Sequence, residues 1–337
     1  MVLETTPAIS FDRGVFTISL DFELIWGTRD LFGSTGFRRA CEIERTTVID
    51  RLLDLFVEFE IPATWCVLGH LFLERCSSGR EGRPHAEIVR PRHSWHSGDW
   101  FDDDPVSSET EAPLFYGRSL VEKIQNCPVK QEIGCHSFSH VIFGDAGCSR
   151  ETAESELAAC VKAANDLGIE MRSFAFPRNL VGHLDVLKEY GFLSYRGPEP
   201  QWYEKASFTP TQKRIGHLWD VLTAATPPVV VPEHTGGDLW NIPGSMIYFP
   251  MHGLRRYIPV SLRVSRARKG LDAAADKRRI FHLWFHPTNL ADSTEAMFSG
   301  LRQILIYARS LCDEGRLAVR PMGEIASFLC NNAAAIS

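Results

Sequence analysis

His136 and His140 stand four residues apart in the string Gly-Cys-His-Ser-Phe-Ser-His, a spacing that can turn two imidazoles toward one cation, as i and i+4 positions do on a helical turn. The spacing alone is weak, because two of the 12 histidines meet it easily. A carboxylate is the missing third donor, and Asp21 and Glu23 offer two. In a continuing strand, positions two apart face the same side, so both acids reach one site. One acid then completes a His, His, carboxylate site with a position left for water, and the other takes that water's proton. His286 ends the apolar run Phe-His-Leu-Trp-Phe-His at 281–286 and can supply the proton that the leaving nitrogen of an amide requires. Each residue also has a plainer reading: a surface histidine pair, a capping or ion-paired acid, a buried structural histidine. Together they point to metal-assisted amide hydrolysis.

What must position these residues is an alternation of strand and helix. The segments VFTISL before Asp21, ATWCVL from Ala63, EIGC before His136, SFAF before Pro177, FLSY before Arg196, MIYF before Pro250 and IFHLWF before His286 read as short apolar strands. Helical spacing of apolar residues runs through 42–60, 151–167, 183–191 and 296–313. Repeated βα units imply a parallel α/β sheet, either closed as a barrel or open and doubly wound. In both arrangements the carboxyl ends of the strands share one face, so Asp21 and Glu23, His136 and His140, Pro177-Arg178-Asn179, Arg196 and His286 meet there.

Two stretches interrupt this rhythm, at about 77–118 and 198–244. The first carries Trp95, Asp99, Trp100 and Asp102, aromatic platforms beside carboxylates, a composition suited to gripping a sugar; the plainer reading is a solvated loop. With no repeat, low-complexity tract or linker, residues 1–337 read as one domain. A formal charge of -6 argues against nucleic acid and anionic lipid as partners. No stretch approaches the ~20 apolar residues of a membrane span. The 9 cysteines are odd in number and include no Cys-x-x-Cys pair, so they read as reduced thiols. An N-terminus without a basic segment followed by an apolar one predicts a cytoplasmic protein.

In these residues the chain resembles the polysaccharide deacetylase family, carbohydrate esterase family four, over roughly residues 15 to 290. The shared set is ordered: an acidic strand end, then His-Ser-x-x-His, then a proline motif, then a histidine closing a late apolar strand. The resemblance implies a distorted (β/α)7 barrel and one divalent ion, Zn2+ ahead of Ni2+, Co2+ or Mn2+. It places that ion on His136 and His140 and makes His286 the general acid. The family's first motif commonly reads Thr-Phe-Asp-Asp, whereas here it reads Ser-Leu-Asp-Phe-Glu. By analogy with members carrying Asp-x-Asp or Asp-x-Glu, Asp21 is the base and Glu23 the third ligand. The lipid A arabinose deformylase branch follows its Asp-x-Asp with Gly-Thr-Arg, similar to Gly27-Thr28-Arg29 here.

Two departures bear on the site. The family's Arg-x-Pro motif has Ala175 at its arginine position, which leaves Arg178, or less directly Arg196, to hold the base; Arg196 otherwise counts among the substrate contacts. Trp284 replaces the leucine that shapes the acyl pocket in the family's Leu-x-His motif, and a bulky ring there keeps formyl alongside acetyl. No Asp-x-x-Asp-Trp motif occurs, so no carboxylate is assigned to tune His286. The expected function is an N-deacylase of an amino sugar, free or nucleotide-, lipid- or antibiotic-linked, with that N-acylated sugar as its small-molecule partner. Two alternatives stand beside it: a cyclic imide or allantoinase-like amidase, and a non-catalytic carbohydrate-binding relative.

Overall fold

Gly14–Phe22 form the first strand, β1, and all of its residues are buried. Phe16, Ile18, Leu20 and Phe22 alternate onto one face and join the main hydrophobic core. Thr17, Ser19 and Asp21 take the other, a polar face. The computed structural model describes residues 11–28, 37–79, 82–202 and 208–334. Arg29 and the extreme N-terminus, residues 1–10, which entered the sequence reading, lie outside the described residues.

Further strands follow at Thr64–Val67 (β2), Glu132–Cys135 (β3), Ser173–Ala175 (β4) and Ser194–Arg196 (β5). The rest are Glu233–His234 (β6), Trp240–Asn241 (β7), Met246–Ile247 (β8), Ile280–Phe285 (β9) and Leu317–Val319 (β10). They form one 10-stranded sheet in the order β6-β7-β5-β4-β3-β2-β1-β9-β8, with β10 added beside β1. All pairs are parallel except β6 with β7. The sheet curls until its ends meet in a single stretch of chain. The Ile242 amide donates to Tyr195 on β5, while the amides of Ser245 and Tyr248 donate to His282 and Trp284 on β9. Segment 240–248 thereby leaves one edge and joins the other, closing the barrel.

The helices are α1 (Arg38–Ile43), α2 (Ile49–Glu58), α3 (Arg118–Gln125), α4 (Arg150–Asn165) and α5 (Leu184–Glu189). After these come α6 (Pro210–Leu222), α7 (Val260–Lys277), α8 (Thr294–Asp313) and α9 (Met322–Ala334). A π-helical turn, Glu44–Val48, joins α1 to α2. No helix is long and apolar enough to cross a membrane among the described residues.

The apolar runs predict β1 to β5, β8 and β9 but not the short β6, β7 and β10, and β1 runs on past its apolar run so that Asp21 lies inside it. The 198–244 stretch is more than a loop: it holds α6 and two short strands. Helix α7 escapes the periodicity because Arg263 and Arg266 occupy its buried side. The guanidinium of Arg263 is accommodated there by donating to the carbonyls of Phe249, Ile258 and Arg255.

Candidate active site

The carboxyl ends of the strands bring Asp21, Glu23, His136, His140, Arg196 and His286 to one end of the barrel. Asp21 and Arg196 lie at the carboxyl ends of β1 and β5, and the others lie in the segments that follow β1, β3 and β9. Glu23 Oε1 lies 2.7 Å from His136 Nε2, 3.4 Å from His140 Nε2 and 3.5 Å from His286 Nε2. Glu23, His136 and His140 are all buried.

The His136 contact tests whether this set fits a metal. Its Nδ1 donates to the Ala175 carbonyl at 2.8 Å, and a carbonyl can only accept, so the ring proton sits on Nδ1. In the neutral ring, Nε2 then turns its lone pair toward the Glu23 carboxylate oxygen 2.7 Å away. A cation between them satisfies both, and two imidazoles with one carboxylate are a donor set that zinc accepts with a coordination position to spare. The carbonyl behind His136 also fixes the ring, as is usual for a ligating histidine.

The two histidines do not ride on a helical turn as expected. Ser137 and His140 adopt φ of 57° and 65°, left-handed values that are uncommon outside glycine, and the intervening loop is irregular. Glu156, on the buried face of α4, holds this shape: it accepts from the amides of Phe138 and Ser139 and from the Ser139 hydroxyl. An acid on an otherwise apolar helical stripe was the available signal for this residue.

Asp21 is gripped by Arg196, whose Nη1 donates to Oδ1 at 2.7 Å and Nη2 to Oδ2 at 2.5 Å. Arg196 also donates to Ser19 Oγ at 3.0 Å, and its guanidinium lies 4.2 Å over the Trp284 ring. Burial pushes the Asp21 carboxyl up, but Arg196, His136 and His286 outweigh it, and its pKa lies below the ordinary value. Arg178 does not reach Asp21; it points to the Gly27 carbonyl, 3.5 Å away, and Arg196 holds the carboxylate instead. The carboxylate-holding arginine thus comes from the next strand over, through β5 beside β4, where Ala175 pairs with Arg196.

His286 is the site's partly open member, its side chain 31% exposed. Burial lowers its pKa, yet Glu23 and then Asp21 raise it further, so the net shift is upward. Glu23 itself lies well below the usual carboxylate range: burial raises it, and the imidazoles of His286, His140 and His136 more than reverse that. Asp21 is thus shifted toward its ionised form and His286, 3.7 Å away, toward its protonated one, the directions that base and acid catalysis need.

Two neighbours lie against this set: Gly27, noted above only within Gly27-Thr28-Arg29, and Glu44, which the sequence did not single out. A Cβ at Gly27 would collide with the Glu23 side chain, so glycine lets the backbone lie against this carboxylate. Glu44, on the π turn, is buried, and burial together with Glu23 pushes its carboxyl well above the ordinary range.

The expected substrate contacts divide. Trp95 is 47% exposed, lies flat on His93 with ring centroids 4.9 Å apart, and donates to Asp145. Trp100 is buried instead and donates to Ser139 at 2.9 Å, bracing the histidine loop from behind. The Asp99 carboxylate accepts from Arg90 and the Phe101 amide, and that of Asp102 from the Asp99 amide, so both shape the loop itself. Trp284 is buried between Arg196 and Glu199, to which its indole donates at 2.7 Å.

No protein-family model and no curated protein matches the chain in sequence. Among solved structures, it is similar to one from Mycobacterium smegmatis described as a polysaccharide deacetylase, with 14% identity, a TM-score of 0.65 and coverage of 98% of this chain and 96% of that one. A structure of Pseudomonas aeruginosa PAO1, also described as a polysaccharide deacetylase, matches at 10% identity and a TM-score of 0.58, over 93% of this chain and 89% of the other. PuuE allantoinase matches at 12% identity, with the same TM-score and coverages. At these identities the likeness is one of fold: a distorted (β/α)7 barrel of the polysaccharide deacetylase type.

Proposed function

We propose that this barrel is a metal-dependent N-deacylase that removes a small acyl group, acetyl or formyl, from the nitrogen of an amino sugar. The observation that carries the reading is His136, whose Nδ1 donates to the Ala175 carbonyl while Nε2 faces Glu23 at 2.7 Å, inside a cluster that also holds an arginine-gripped carboxylate and the partly open His286. We assign Glu23, His136 and His140 as ligands and Zn2+ as the ion. A divalent ion held there polarises an amide carbonyl and makes water a nucleophile near neutral pH.

Asp21 takes the proton of the attacking water, and Arg196 keeps that carboxylate ionised and aimed. His286 gives its proton to the departing nitrogen, without which the C–N bond does not break. Trp95 is the exposed ring for a sugar face, while Trp284 and Arg196 wall the deep end. Those contacts are alike in ground and transition state, so they set affinity more than rate.

The experiment is acid release from N-acetyl and N-formyl amino sugars, free and carrier-linked, by zinc-loaded and chelator-treated protein. Zinc-dependent release of acetate or formate is expected. The allantoinase likeness supports a second reading, so the panel includes cyclic imides and ureides. Turnover confined to those compounds reassigns the enzyme, and sugar binding without turnover marks a non-catalytic relative.

A further inference from the structure

On the side of the barrel beneath the histidine loop, four donors from separate stretches converge: His70, Cys76, His85 and Asp104. Their ligand atoms all lie within 4.8 Å of one another. We propose that they form a second metal site, a closed structural Zn2+ centre that clips the long 77–118 segment to the barrel.

His70 carries the argument. Its Nδ1 is 2.9 Å from the Phe115 carbonyl, so the proton sits there and Nε2 turns a lone pair toward Asp104 Oδ2 at 3.2 Å. His85 Nε2 approaches the same oxygen at 3.0 Å, and Cys76 Sγ stands 3.5 Å from both oxygens of that carboxylate. Two imidazoles cannot both bond to one oxygen when the first has no proton to give, whereas a cation at the centre satisfies all four groups. Two nitrogens, a sulfur and an oxygen are a tetrahedral zinc donor set with no position left for water. The Tyr116 hydroxyl accepts from the Ser107 amide at 2.9 Å and lies 2.8 Å from Cys76 Sγ and 3.4 Å from Asp104 Oδ1, either of which can take its proton. Binding the ion releases the Cys76 proton to solvent.

Location gives the purpose. Between Cys76 and Asp104 the described residues contain no helix or strand, and His85 adopts a left-handed φ of 50°. Such a segment needs a tether. His70 supplies the barrel end: it follows β2, stacks 4.4 Å from Trp26, and its amide donates to Phe138 inside the histidine loop.

The test is zinc-edge X-ray absorption and metal analysis on the zinc-loaded protein. About two ions per chain are expected, with a sulfur neighbour at ~2.3 Å. His136→Ala should fall to about one ion and keep the sulfur signal, whereas Cys76→Ser should fall to about one and lose it. Cobalt-substituted wild type should show a thiolate charge-transfer band in the near ultraviolet that persists in His136→Ala. The proposal is overturned by wild-type protein with one ion and no sulfur neighbour, or by a sulfur signal that survives Cys76→Ser. Because the wild type and His136→Ala are decisive alone, a Cys76 variant that misfolds does not weaken the test, and absence of deacylase activity leaves it untouched.

Discussion

Two histidine and carboxylate clusters lie on either side of the same loop, and they are built to opposite ends. At the barrel mouth, Glu23 lies within reach of one ion both with His136 and His140 and with Asp21 and His286; on the proposed mechanism the first three are the donors, and Asp21 and His286 are kept for chemistry. Beneath it, His70, Cys76, His85 and Asp104 are four donors, and the side chains of His70 and Asp104 are wholly buried. Three ligands leave a place for water and chemistry; four leave none. The difference teaches that the same residue types become a reaction centre or a clip according to what the backbone leaves over.

The largest effect should come from removing a ligand at the mouth. Glu23→Gln or His136→Ala is expected to abolish deacylation, by on the order of 10³-fold or more, since the ion supplies several kcal/mol to the transition state. Metal analysis should still find the ion of the lower cluster. Loss of both ions from either variant would show the clusters to be one unit.

Next come the groups beyond the ligands. His286→Ala should lower kcat by about 10²- to 10⁴-fold with metal content unchanged. The pH profile gives the sign. Asp21, shifted down, acts as a base throughout the neutral range, whereas His286, shifted up, is protonated below a pKa above its ordinary value and stops donating as pH rises through it. Activity should therefore fall on the alkaline side in wild type. An alkaline limb that persists unchanged in His286→Gln would assign the acid elsewhere.

Gly27→Ala sharpens the comparison by touching a ligand without replacing it. The new methyl displaces the Glu23 carboxylate, and metal affinity at the mouth should drop by about 10- to 100-fold, the usual cost of disturbing what holds a ligand. Competition with a chelator measures this, and wild-type affinity would mean that the backbone shifts to make room.

The smallest effect is on stability. His282, below the mouth, bonds to Ser19 Oγ at 2.8 Å, and burial, with Arg196 nearby, lowers its pKa to about 3 from 6.5. The unfolded chain therefore binds a proton that the folded chain does not between those values, and stability falls as pH drops through that window. The loss between pH 7 and pH 5 should be about 2 kcal/mol, and His282→Gln should flatten it, as denaturant titration at the two pH values would show. An equally steep loss in the variant would place the titration elsewhere.

The barrel strands and the mouth were legible because each strand is an apolar run that stops at a polar residue, as VFTISL stops at Asp21 and IFHLWF at His286. Neighbours in sequence leave the arginine on Asp21 open between Arg178 and Arg196, because only the pairing of β4 with β5 in space sets Arg196 beside Ala175. Trp100 was read as a sugar platform since composition does not say which way a ring turns; its indole proton found Ser139. The lower cluster left no local pattern at all. Its members stand at 70, 76, 85 and 104, spacings that match no ligand motif, and only the folded segment brings them together.

The most direct test of the account is the anomalous scattering of zinc in crystals of the zinc-loaded protein, recorded on both sides of its absorption edge. The account predicts a peak at the barrel mouth about 2.0–2.2 Å from a Glu23 carboxylate oxygen and the Nε2 atoms of His136 and His140, with a fourth position facing Asp21 and His286. No peak there, or a peak whose fourth position is filled by a protein side chain, would contradict a hydrolytic site at this end of the barrel.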